Sequence, residues 1–241
     1  MIYFLIPVFN EEANLESLYK TLTQSLPGRE KFFLFVDDCS VDNSVSMLKD
    51  LFRAIPQFEV LTKTVNAGPG HSFNMGFEWI LSHSENSAHD LVITMEADNT
   101  SDIKILSDMI AISGMGYDLV LASVYAQGGG FGSTSLFRKL ISFFANILLR
   151  FAFGIKVLTL SSFYRVYHLT LLSEIKKKHS TIIEEPGFIS MVEILIKAIR
   201  LDAKIIEVPV RLFAERRKGK SKMKIANTFL SYVKLLMKAK K

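Results

Sequence analysis

A chain of 241 residues, 49% hydrophobic and 22% charged, can bury one sizeable core and has the composition of a folded protein rather than a disordered or fibrous one. Cys39 is its single cysteine, which excludes an intrachain disulfide and a cysteine-based zinc site and leads us to expect a cytoplasmic setting. The net charge of +5 is uneven: from Arg211 to Lys241 eleven Lys and Arg face one acid, Glu215, giving +10 there and −5 over residues 1 to 210. Such a basic end suits phosphates, diphosphates or an anionic lipid surface.

The opening MIYFLIPVFNEE lacks a basic leader and has an acidic pair where cleavage would fall, so no signal peptide is expected. Ile2 to Val8 is an apolar run, followed by a polar turn and by Ala13, Leu15, Leu18 and Leu22 at near-helical spacing. The unit repeats with a strand over Phe32 to Val36, closed by Asp37 and Asp38, and a helical stripe of Val45, Leu48, Leu51 and Phe52. Val60 to Val65 predicts a third strand and Ser72 to Leu81 a third helix. Leu91 to Met95 predicts a fourth strand ending in Glu96 and Asp98, then a helix through Ile103, Leu106, Met109 and Ile110 and a fifth strand over Leu119 to Ser123.

Beyond a glycine-rich loop from Gln127 to Gly132, a helix rich in Leu and Phe is predicted over Leu136 to Phe153. A further helix is expected around Glu193 to Ile199, a strand over Ile205 to Val210, and a final helix with Ile225, Phe229, Val233 and Leu236 on one face and Lys on the other. The cluster Lys176 to His179 is expected to be a solvated loop. No run reaches the ~18 apolar residues of a membrane-spanning helix, although the helix over Leu136 to Phe153 and the last helix could lie on a membrane surface. Continuous apolar strands alternating with amphipathic helices predict a mostly parallel sheet covered on both faces, whose ligands bind at the carboxyl ends of the strands.

Asp37, Asp38, Glu96 and Asp98 all fall at those ends. Glu96 and Asp98 have the spacing for a hard divalent ion, Mg²⁺ or Mn²⁺, that takes a few carboxylate oxygens plus substrate phosphate. The same acids could instead cap the following turns, as could Asp37, Asp38, Ser40 and Asp42. Phe9, Glu11 and Asp38 could together hold a base and ribose. The five histidines show no metal-ligand spacing, the glycine runs do not follow a first strand as GxGxxG, and no motif supports nucleic-acid binding.

Several segments, in order, carry a resemblance. IPVFNEEANLESL, VDDCSVDNS, NAGPGHSFNMG at Asn66 to Gly76 and MEADNTSD at Met95 to Asp102 resemble the successive motifs of family two GT-A glycosyltransferases. RKLIS at Arg138 to Ser142, SSFYR at Ser161 to Arg165, VEILIKAIRLDAKIIEVPV and RRKGKSK at Arg216 to Lys222 are similar to the dolichol-phosphate mannosyltransferase branch. The resemblance implies an α/β, GT-A (Rossmann-like) domain over residues 1–224, a mostly parallel central sheet with helices on both faces, and C-terminal amphipathic helices, the basic one over 225–241.

It further implies a nucleotide-sugar donor (GDP- or UDP-sugar) and a polyprenyl phosphate acceptor, with Mg²⁺ or Mn²⁺ as cofactor and a place at the cytoplasmic face of a membrane, on its surface or on a membrane-protein partner. Pro7, Phe9, Glu11, Val36 and Asp38 would bind the nucleoside. Glu96, Ala97 and Asp98 would sit at ribose, diphosphate and metal, with Thr100 in the place of a metal-binding glutamine. Arg138, Arg216 and Lys222 would clamp the diphosphate or the lipid phosphate; Arg165 reads as well as a structural ion pair.

The pattern is broken at Val124, Thr159 and Phe163, where the family carries an arginine, an acid and a glycine. Inverting displacement onto an anionic phosphate needs no strong base, whereas a hydroxyl acceptor would need a carboxylate such as Asp98, Glu193, Glu184 or Glu185. A hydroxyl acceptor of a cell-surface glycan, and a donor-binding subunit without catalysis, are the alternatives at this point.

Overall fold

The computed structural model describes residues 1–85, 88–132, 146–147, 150–151 and 154–219. The continuous apolar runs form the inner strands: β1 (Ile2–Val8), β2 (Lys31–Asp37), β4 (Leu91–Thr94) and β5 (Leu119–Ser123) are buried along most of their length. They join β3 (Phe58–Thr62), β7 (Arg165–His168) and β8 (Ile205–Pro209) in a seven-stranded sheet of order β3-β2-β1-β4-β7-β5-β8. Every pairing is parallel except those of β7, which runs antiparallel to both β4 and β5. A small second sheet pairs β6 (Gly130–Phe131) with β9 (Arg211–Leu212).

Successive strand residues point to opposite faces, and each face has its own core. Ile2, Phe4, Ile6 and Val8 pack with α1 (Glu12–Gln24), α2 (Ser44–Phe52) and α4 (Leu106–Ser113). Tyr3 and Leu5, with Leu34, Val36 and Val92, pack with α3 (Pro69–His83), α5 (Leu169–His179) and α6 (Ser190–Ile199). Two-sided burial explains why the strands read as unbroken apolar runs rather than as alternation.

Most expected elements are present, with shifted ends. β3 starts two residues earlier than expected and stops at Thr62, and α3 begins at Pro69, a residue preorganised for a first helical turn. β4 stops at Thr94, so Met95 to Asp98 form a turn rather than a strand end. Lys176 to His179 are not a loop but the last turn of α5, where cations complement the helix dipole. The antiparallel β7 was not anticipated. Most of the helix expected over Leu136 to Phe153, the domain end at 224 and the basic helix over 225–241 lie outside the described residues. Among those described, no helix is long and apolar enough to cross a membrane.

The connections from β1 lead outward to β2 and β3 on one side, while β4 lies on its other side. This reversal opens a crevice beyond the carboxyl ends of β1 and β4, the usual ligand position in an open α/β sheet.

Candidate active site

Three turns meet at this crevice, and each contains a non-glycine residue in the left-handed region: Asn10 after β1 (φ 53°), Cys39 after β2 (φ 64°) and Asn99 after β4 (φ 63°). Such conformations persist where surrounding bonds enforce them. Asn10 N donates to Ser40 Oγ at 2.8 Å and Val41 N to Asn10 Oδ1 at 2.8 Å; Glu11 N donates to Ser44 Oγ at 2.8 Å and Glu12 N to Asp42 Oδ2 at 3.2 Å. Ser40 and Asp42 therefore lace the first two turns together, beyond any capping role.

Around the expected nucleoside site, Pro7 and Phe9 are half-buried and Glu11 is buried beside Asn14, whose Nδ2 donates to Glu11 Oε2 at 2.6 Å. Val36 was expected to touch the nucleoside, but it is 0% exposed and packs in the core beneath the site. Asp38 accepts from Ala67 N and Gly68 N, each at 2.8 Å, and pairs with Lys63 Nζ at 2.6 Å. It thus fastens the turn before α3. Its neighbour Asp37, absent from the expected set, is buried with Oδ2 accepting from Ser40 N at 3.0 Å and Oδ1 without a partner among the described residues. A buried carboxylate oxygen of this kind calls for a donor, and the acidic end of β2 was its only signal in the sequence.

Beyond the end of β4, Asp98 lies close enough to Glu96 for its charge to be felt there. Burial, and then the Asp98 charge, push the Glu96 carboxyl up to about 7, although Ser101 Oγ donates to Glu96 Oε2 at 2.9 Å. Thr100 is buried and donates to Asp98 Oδ1 from both N (3.1 Å) and Oγ1 (2.7 Å), so it orients the carboxylate rather than pointing outward as an independent ligand. Ala97 is buried, its methyl within the core. Tyr164 contributes a buried hydroxyl with no partner among the described residues, its pKa raised by burial and by the nearby Asp102 and Glu96 charges.

Asp98 Oδ2 is held by a residue the sequence reading missed. Arg217 Nε donates to it at 2.6 Å, and the Arg217 guanidinium completes the ion pair through Nη2. Arg216, the expected clamp, instead places its guanidinium 3.7 Å from the centroid of the Phe213 ring. The two adjacent arginines point to different surroundings because the chain passes through a single 3₁₀ turn, Ala214–Arg216, immediately before Arg217. The motif spacing identified the segment but not which arginine turns inward. Arg138 and Lys222 lie outside the described residues.

Among the described residues no three His, Cys, Asp or Glu side chains converge. The Glu96 and Asp98 pair nevertheless fits a hard divalent ion that draws its other ligands from substrate phosphate and water. The like-charge penalty at Glu96, and the cation that Arg217 already supplies at Asp98, show that the site favours positive charge.

The other carboxylates considered as bases are differently employed. Glu193 Oε2 accepts from Glu184 N (3.1 Å) and Glu185 N (2.8 Å), and its Oε1 pairs with Lys197 at 2.7 Å. Glu193 is therefore a clasp for the turn 184–187. That turn packs directly on the start of α3, where Gly70 N donates to Pro186 O at 2.7 Å and a Cβ on Gly70 would fall 2.0 Å from Glu185 O. Glu184 is 61% exposed at its side chain. Arg165 is completely buried but forms no ion pair among the described residues; it donates to Ser162 O and Leu160 O, both at 2.7 Å, and so staples the turn before β7.

Comparison with known proteins agrees with this architecture. The chain is 28% identical over 224 residues to the polyprenol monophosphomannose synthase of Mycolicibacterium smegmatis, covering 92% of this chain and 81% of that protein. It is 29% identical over 219 residues to the undecaprenyl-phosphate mannosyltransferase of Micrococcus luteus, covering 91% and 86%. The fold resembles the GT-A structure of glucosyl-3-phosphoglycerate synthase from Mycobacterium tuberculosis, solved with Mn²⁺, UDP and glucosyl-3-phosphoglycerate, at a TM-score of 0.66, 16% identity, and coverage of 98% of this chain and 77% of that one. The family model for glycosyl transferase family 2 matches residues 3–176, and the chain belongs to that family.

Proposed function

We propose that this glycosyltransferase moves a sugar from a nucleotide-sugar donor to a polyprenyl phosphate, with inversion at the anomeric carbon and with the help of Mg²⁺ or Mn²⁺. The observation that carries the reading is the pairing of Arg217 with Asp98 beside Glu96 at the crevice between β1 and β4. There, anionic ligands for a cation and a cation for a diphosphate stand together. The relatives that span nearly the whole chain are named as polyprenol-phosphate mannosyltransferases, which favours a lipid phosphate acceptor.

In this reading the base and ribose lie over the β1 and β2 turns, near Pro7, Phe9, Glu11, Asp37 and Asp38. Glu96 and Asp98 hold the divalent ion, which when bound offsets charge on the departing diphosphate. Arg217 and the basic segment from Arg216 to Lys222, with Arg138, bind the diphosphate and the acceptor phosphate, so positioning and charge carry the reaction. An acceptor phosphate is already anionic near neutral pH, and the engagement of Glu193 with two amides and Lys197 removes one candidate base for a hydroxyl acceptor. The enzyme then works at the cytoplasmic face of a membrane, its basic end toward anionic lipid.

The test is transfer from radiolabelled GDP-mannose, UDP-glucose, UDP-GlcNAc and related donors into organic-extractable lipid with Mn²⁺ or Mg²⁺, for wild type and Asp98→Asn. Metal-dependent labelling abolished by the substitution supports the reading and identifies the donor. Donor binding without labelling of any polyprenyl phosphate would refute it.

A further inference from the structure

The chain from Phe213 to Gly219 crosses back over the carboxylate site, and it is fastened at two places. Phe213 N donates to Thr100 O at 2.9 Å. Asn14, in the first turn of α1 and 204 residues away in sequence, pairs with the peptide of Lys218: Asn14 Nδ2 donates to Lys218 O at 3.0 Å and Lys218 N donates to Asn14 Oδ1 at 2.9 Å. The carboxamide thus imitates a neighbouring strand.

Asn14 is 1% exposed and has no spare donor, since Nδ2 also donates to Glu11 Oε2 at 2.6 Å. Its main-chain oxygen receives Asn99 Nδ2 at 2.9 Å, so one residue ties together the β1 turn, the β4 turn and the basic segment. Aspartate would lack the donors and repel Glu11, and glutamine would add a methylene to a buried, fully bonded group. Arg217, adjacent to the fastened Lys218, is thereby delivered to Asp98 Oδ2.

We propose that Asn14 is a positioning residue that sets a competition at Asp98: by fixing Lys218 it holds the Arg217 guanidinium on the carboxylate that a divalent cation needs, and cation binding frees Arg217 for the donor diphosphate. This rests on the donor-site reading above. It makes a prediction of opposite signs that general structural damage would not produce. Without nucleotide, Arg217→Ala strengthens Mn²⁺ binding about tenfold, because it removes a charge-assisted competitor from Asp98. With Mn²⁺ saturating, the same substitution weakens nucleoside diphosphate binding about tenfold. Asn14→Ala shifts both in the same directions by a smaller factor, and the Asn14→Ala/Arg217→Ala double variant is no different from Arg217→Ala alone.

The experiment titrates Mn²⁺ by electron paramagnetic resonance with and without GDP or UDP, on wild type and these variants, with circular dichroism as the check on folding. Lys218→Pro, which removes the exposed-segment N–H that pairs with Asn14, provides a second release of the fastening should Asn14→Ala fail to fold. Tighter Mn²⁺ binding in the released variants supports the proposal. Unchanged or weaker Mn²⁺ binding in Arg217→Ala, or additive effects in the double variant, overturns it while the donor-site reading stands. A wild type that binds neither Mn²⁺ nor nucleotide overturns both.

Discussion

Replacing Asp38 with alanine tests whether this carboxylate holds the fold or faces a ligand. Its side chain and that of Lys63 are each 6% exposed and stand 2.6 Å apart. The substitution would leave Lys63 buried without its counter-charge and would strip the acceptor from Ala67 N and Gly68 N. Removing one partner of a buried pair costs about 3–5 kcal/mol, which for a domain of this size is a fall in Tm of roughly 6–20 °C. Urea unfolding followed by circular dichroism, without nucleotide, gives the cost directly. In an Asp38→Ala/Lys63→Met background the buried ammonium is gone as well, so the double variant should be more stable than Asp38→Ala, with a coupling of about 1–3 kcal/mol. Loss of nucleotide binding with less than about 1 kcal/mol of destabilisation would refute the argument, because the carboxylate would then be reserved for the nucleoside.

The turn at 184–187 gives two further outcomes. Glu193→Gln removes the charge facing Lys197 and should destabilise the protein by about 2–4 kcal/mol in the same urea assay. Gly70→Ala places a methyl against the Glu185 carbonyl and should cost about 1–3 kcal/mol by overpacking, with faster hydrogen exchange at the residue 70 amide as its bond to Pro186 O lengthens. The last outcome concerns pH. Because the folded-state pKa of Glu96 is raised to about 7 from 4.5, the folded chain holds this proton longer than the unfolded one. In chelator-treated protein this group therefore lowers stability as pH rises between those values, and Glu96→Gln should flatten that slope in unfolding curves taken across the range.

The parallel half of the fold was legible because its strands are buried on both faces, so hydrophobicity alone marks them. β7 was not, since RVYH is short and places a buried arginine in the sheet, where Arg165 meets backbone carbonyls that no local pattern announces. The acids at Glu96 and Asp98 were legible from their place after an apolar run. The partner of Asp98 was not, because Arg216 and Arg217 are equivalent in composition, and the 3₁₀ turn before Arg217 and the bond between Asn14 and Lys218, spanning almost the whole chain, have no local signature. Val36 entered the nucleoside set through the family resemblance, whereas the alternation of the strand sends its side chain into the core. Glu193 looked like an available carboxylate because the two amides it accepts from, those of Glu184 and Glu185, lie on a turn that has no sequence signature.

The departures from the family pattern can now be weighed against a loss of function by decay. Decay would leave holes and unpaired groups where functional side chains once stood. At Phe163, where a glycine was expected, the ring is 4% exposed, meets Phe73 edge-on at 5.0 Å and stacks on Phe188 at 5.4 Å. Its carbonyl accepts from Thr94 Oγ1 at 2.5 Å. Thr159, in place of an acid, shares a 2.6 Å hydrogen bond with Ser123 Oγ, and Glu207 of β8 supplies a carboxylate to the same stretch, accepting from Leu158 N at 2.7 Å and Thr159 N at 2.8 Å. Val124 is partly buried and packs against the core on the α1, α2 and α4 face of the sheet. Each of the three positions beyond the ends of β4 and β5 therefore has its own packing or hydrogen-bond partner. Meanwhile the β1–β4 crevice keeps, among the described residues, a buried unpaired oxygen on Asp37 and the opposed charges of Glu96, Asp98 and Arg217, the kind of arrangement that clusters at functional sites.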